Sequence, residues 1–188
     1  YGLGSYTDNG STDSGYSYGG NLTLPNDRYF FHLQYVEIDQ AFNPALGFVP
    51  RKDIRAYNNL WGFRPRPASI SWLRQAHFWY ENEHYTDLDN RLETYQHRFT
   101  PLSWDLESGD DVSFSYTHNY DAPASPFDIA GDVTIPAGDY SWNSFRFNAD
   151  LAGYRTVAPD LTVQFGEYYD GHRETYTIGG DLRKWKYA

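Results

Sequence analysis

The sequence predicts an all-β protein, an antiparallel up-and-down β-barrel of about ten strands or an arc of a larger barrel. Three observations predict it. Apolar and polar residues alternate with period two along most of the chain, as they do in a strand with one wet face. Several alternating runs exceed the five or six residues usual for soluble strands, and suit tilted strands crossing a bilayer, which need roughly 9–11. Long and short connections also take turns, as in outer-membrane barrels with short turns at one rim and long loops at the other. The competing fold is a soluble β-sandwich with tyrosines packed between polar faces.

In chain order, the first strand falls near residues 1–7 and the second near 15–24. In the second, Tyr16, Tyr18, Leu22 and Leu24 share one face, and Ser17, Asn21 and Thr23 the other. The third, 28–38, alternates Tyr29, Phe31, Leu33 and Tyr35 against Phe30, His32 and Gln34. A fourth near 54–64 runs into Pro65 and Pro67, which cannot donate to a ladder, so "PRPAS" reads as a turn. The fifth, 70–84, is the least regular, because Trp72, Phe78 and Tyr80 share a face with Arg74. A sixth covers 91–106. The seventh, 111–121, is the cleanest: Val112, Phe114, Tyr116 and Tyr120 oppose Ser113, Ser115, Thr117 and Asn119. Three more are expected near 139–151, 159–168 and 173–186. The longest connections are 39–53 and 122–138, while "PND" and "ESGDD" are tight; "AGYRTVAP" and "YDGH" break the alternation. No segment carries the 3.6-residue period of an amphipathic helix.

Composition narrows the function. Tyr, Phe and Trp make up 19% of the residues, yet mean hydropathy is −0.72. That combination fits many half-exposed strands better than a thick apolar core. The absence of Cys removes disulfides, thiolate metal sites and a cysteine nucleophile. A net charge of −10 argues against a nucleic-acid partner, which asks for a basic surface. The 188 residues suit one domain, residues 1–188, and the chain contains no Met. "YGLGSYT" at the start reads as strand from mid-barrel, and "LRKWKYA" lacks the terminal aromatic common in finished outer-membrane barrels. The expectation is a portion of a longer chain whose first and last strands are unpaired edges.

Three motifs carry a resemblance: "FNPALGFVPRKDIRAY" at 42–57, "PFDIAGDVTIPAGDYSWNSFRF" at 126–147 and "GEYYDGHRETYTIGGDLR" at 166–183. Together they resemble an uncharacterised Gram-negative outer-membrane family in which a carbohydrate-binding, family-9-like domain precedes a C-terminal β-barrel. The resemblance implies a barrel with more strands than this chain supplies, a bacterial outer-membrane location and a link to glycan handling. It carries over no catalytic residue.

The candidate ligand-binding residues are six cations packed into one stretch: Arg51, Lys52, Arg55, Arg64, Arg66 and Arg74. An Arg facing lipid at mid-bilayer costs about 2–4 kcal/mol, so these belong at a rim or in the lumen. There they either pair with carboxylates to hold the long loop or form a constriction for anions. Phe42, Leu46, Phe48 and Val49 would let that loop fold inward as a small plug. The acidic loop 122–138 and its flank hold Asp128, Asp132 and Asp139, but their spacing is not that of a calcium loop. His77 and His97 would approach if strands 70–84 and 91–106 pair, with Glu81 or Glu93 as the nearest third ligand. Neither a nucleophile elbow, nor a His-Glu-x-x-His pair, nor a phosphate loop occurs. No cofactor and no active site emerge.

Trp61, Trp72, Trp79, Trp104, Trp142 and Trp185 are candidates for the aromatic girdles at membrane interfaces. The function expected is therefore an outer-membrane barrel for transport or anchoring, with lipid as partner, glycan as a second partner and no chemistry of its own. The alternatives are an extracellular carbohydrate-binding sandwich and a self-assembling β-protein that recruits further chains through open strand edges.

Overall fold

The computed structural model describes residues 2–8, 14–44, 47–129 and 133–183, with backbone alone over 2–8. Among these residues there is no helix. The strands are β1 (Gly2–Asp8), β2 (Ser14–Pro25), β3 (Tyr29–Ile38), β4 (Ile54–Phe63), β5 (Leu73–Ala76), β6 (Phe78–Thr86) and β7 (Leu92–Leu106). They continue as β8 (Asp111–Asp121), β9 (Phe127–Asp128), β10 (Thr134–Ile135), β11 (Tyr140–Asp150), β12 (Val157–Tyr168) and β13 (Gly171–Leu182). One 11-stranded antiparallel sheet has the order β1-β2-β3-β4-β6-β7-β8-β11-β12-β13, with β5 beside β7. The hairpin of β9 and β10 stands apart. The all-β, antiparallel, up-and-down expectation is met.

The sheet does not close. β1 pairs only with β2 and β13 only with β12, and the two end strands make no contact with each other among the described residues. The unpaired edges expected at the two ends are present over the described parts of β1 and β13.

Each of the ten anticipated strands exists, but the irregular fifth is two. Its alternation fails because the chain changes partners at His77. β4 ends before Pro65 and Pro67, Ala76 donates its N–H to Pro65 O (3.0 Å), and β5 crosses to the far half of β7, pairing Leu73 with Leu106. β6 then resumes beside β4 and pairs with the other half of β7. The register of β7 against β8 shifts between Phe99 and Leu102, at Pro101, which has no N–H to give. β9 and β10, inside what the sequence offers only as a loop, are an addition.

The rims differ. The longest connections, 39–53 and 122–139, both lie at one end of the strands, the near rim, as the loop alternation requires; 87–91 and 169–170 share that rim and are short. At the far rim, Asp110 ties two turns together. It accepts from Ser108 Oγ (2.7 Å), Ala152 N (2.8 Å) and Arg155 Nη2 (2.7 Å), and these donors hold its carboxyl down at about 2.

The register divides the sheet into two unlike faces. One row of direct partners, Leu24–Phe31–Trp61–Tyr80–Phe99–Tyr116–Phe145–Phe165, crosses from β2 to β12 without a charged residue. Ring centroids along it lie 5.6 Å apart for Phe31–Trp61, 5.5 Å for Tyr116–Phe145 and 5.4 Å for Phe145–Phe165. The matching row on the other face is Thr23–His32–Leu60–Glu81–Arg98–Thr117–Ser144–Gly166. Several of the aromatic row are more exposed than most of the polar row. Phe99 is 47% and Phe165 43% exposed, whereas Thr117 on the polar face is 8% exposed.

No side chain among the described residues is completely buried, and the chain exposes 12472 Å². A compact monomer of 21.8 kDa would expose roughly 9,300 Å².

Candidate functional site

The six clustered cations do not come together. β4 places Arg51, Lys52 and Arg55 at the near rim, and Arg64, Arg66 and Arg74 at the far rim, a strand length away. Arg55 lies on the apolar face, where its Nε meets Glu37 Oε2 (2.9 Å) and its Nη1 donates to Leu88 O (2.9 Å) and Asn90 Oδ1 (2.6 Å). Glu37 also accepts from the hydroxyls of Tyr16 (2.9 Å) and Tyr35. This pair sits at the near rim on the apolar face, away from the polar one. Arg51 lies 5.2 Å over the Tyr85 ring, and Lys52 has no polar partner among the described residues.

At the far rim, Arg64 donates to Asn26 O (2.5 Å) and lies 5.8 Å over both Phe30 and Trp79. Arg66 pairs with Asp27 and donates to Gln75 Oε1 (3.1 Å); Arg74 stands 3.8 Å from Glu107. The Arg66 guanidinium lowers the Asp27 pKa below its ordinary value. Most of these cations fasten turns.

The expected plug is not formed by Phe48, which is 87% exposed. Phe42 is buried instead at the strand end, its backbone crossing so close to Gly15 that a Cβ there would meet Phe42 N at 2.1 Å. Leu46 lies outside the described residues. His77 and His97 stay apart: β6–β7 register sets His97 opposite Asn82, while His77 bonds Asp105 (2.9 Å). His97 faces His118 across the β7–β8 pair instead. Asp128 accepts from Thr134 Oγ1 (2.6 Å) and Asp139 from Tyr120 (3.0 Å); Asp132 is outside the described residues.

The tryptophans separate by face. Trp61 and Trp104 take the apolar phase, with Trp72 packed on Trp104 at 5.5 Å. Trp79 takes the polar phase and covers Gly62, where an added Cβ would lie 2.1 Å from its ring. Trp142 also takes the polar phase, and Trp185 is outside the described residues.

What the sheet does assemble is a cleft of about 240 Å³ on the polar face, across β7, β8, β11, β12 and β13. Trp142 and Tyr168 wall its near-rim end, their rings 5.8 Å apart. Tyr169 braces Trp142 at 4.6 Å, and donates to Asp121 Oδ2 (2.6 Å). Burial and that carboxylate push the Tyr169 hydroxyl above the usual phenol value. Side chains from neighbouring strands join across the floor: Arg98 bonds Glu81 (2.9 Å) and Gln96 (2.9 Å), and Gln96 bonds Asn119 (3.0 Å). Arg146 bonds Gln164 (2.8 Å), and Arg173 lies 5.4 Å over the Tyr168 ring. None of these cleft arginines was a candidate in the sequence. Their signal was present only as polar-phase positions on separate strands, which need the register to meet.

Comparison with family models, with characterised proteins and with solved structures finds no match to this chain.

Proposed function

We propose that this chain is wall material of a bacterial outer-membrane β-barrel, with its aromatic face on lipid and its polar face on the lumen, serving transport or anchoring. One observation carries the reading: an aromatic row crosses eight strands with Leu24, Trp61, Tyr80, Phe99 and Phe165 exposed, while the polar row behind it is mostly half-buried and holds Thr117 and Gly166 buried. In water such a face would be a liability far larger than the few hundred Å² of apolar patch usual on a monomer. In a bilayer it is the required surface. Strand lengths of 10 to 15 residues for β3, β4, β7, β8, β11, β12 and β13 suit the thickness to be crossed.

The resemblance of the three motifs to the outer-membrane family points the same way and adds the glycan link. Trp104 and Trp72 at one strand end fit an interfacial girdle. The open edges of β1 and β13 are where the wall would continue, through further strands of the same chain or another copy. No residue is assigned a chemical step. Membrane fractionation tests the reading: the protein should require detergent for extraction and migrate faster on a denaturing gel before boiling than after. Recovery as a detergent-free monomer whose mobility heating does not change would overturn it.

A further inference from the structure

We propose that the cleft between β7 and β13 binds an acidic saccharide, taking one carboxylate-bearing sugar ring against Trp142 and Tyr168. This stands on the cleft alone and does not depend on what covers the apolar face. Its first support is an incomplete hydrogen-bond inventory. Ser115 and Thr117 line the cleft and are each 8% exposed, yet neither hydroxyl bonds a protein group among the described residues. Their oxygens stay accessible from the cleft, so both hydroxyls are open to a ligand or to water. Both hydroxyls donate and accept, which suits the hydroxyls of a sugar.

The second support is charge. Arg146 is held only by the neutral Gln164, and Arg173 only by the Tyr168 ring, so two guanidiniums reach the cleft without a carboxylate partner among the described residues. Arg98, by contrast, is already paired with Glu81. The one carboxylate in the lining, Glu167, accepts from Asn143 N (3.2 Å) and Nδ2 (3.5 Å). A planar guanidinium matches a carboxylate in two parallel hydrogen bonds. In a chain of net charge −10, cations left free at one place are conspicuous.

The third is shape. The volume falls just under the roughly 300–1,000 Å³ of drug-sized sites, so it holds about one ring of a longer chain. Half-buried Tyr168, beneath the Arg173 guanidinium, offers apolar ring surface beside the largely buried Trp142, and the open side lets the chain run on.

Titration of the purified protein in detergent with tetragalacturonate, its methyl ester and sodium sulfate, read by tryptophan fluorescence and calorimetry, tests this. Tetragalacturonate should bind at least tenfold tighter than the uncharged ester, and Arg146→Gln and Arg173→Gln should each weaken it about tenfold. Thr117→Val breaks no protein hydrogen bond, so it should fold normally and still bind severalfold more weakly. Equal binding of the ester, indifference to both arginine variants, or displacement by equimolar sulfate would each overturn the proposal.

Discussion

A carboxylate at a turn can be read as a latch with a pH range. Asp110 takes three donors from the 107–110 and 151–156 turns, and its pKa falls from 3.8 to about 2. A depressed folded value contributes stability above the unfolded pKa, and that contribution is lost as pH drops from near 4 through about 2. Hydrogen exchange should show these turns opening as pH is lowered across that window, and Asp110→Asn should open them already at neutral pH with the acid step gone. Gly62 makes a steric case. Its missing side chain admits the Trp79 ring, so Gly62→Val should cost about 1–3 kcal/mol in denaturant unfolding. Sequence alone shows Gly62 only as a glycine in a strand, since the ring that needs the space comes from β6. The same limit hid the cleft, whose arginines at 98, 146 and 173 lie on three strands. The conspicuous run from Arg51 to Arg74 was legible but misleading, because a strand carries its two ends far apart.

Along a single strand, period two was legible wherever the two faces differ chemically, as in β3 and β8. It failed at β5 and β6, where the switch at His77 is set by the length of β7 and the prolines after β4, not by local pattern. It also missed β9 and β10, two-residue strands too short to show any period. The faces permit a test at this scale. Phe99→Arg puts a charge in the middle of the apolar row, and should cost about 2–4 kcal/mol in bilayer-based unfolding if that row meets lipid. Ser113→Arg, one phase over, should cost distinctly less. Equal costs would remove the face assignment.

At the scale of the molecule, antiparallel up-and-down pairing was legible from the run of strands, and the open edges were expected; the extent of exposed surface was not, since it depends on how the faces are covered. Apart from β5, every strand in the main sheet contacts only the strands beside it in the sheet order. Load applied at β13 therefore passes through β12 alone before it reaches β11. Pulled from that edge by a cantilever, the sheet should come apart in discrete steps, one strand or hairpin at a time, with the rest still held. A single all-or-none rupture would mean that something beyond neighbour pairing bears the force.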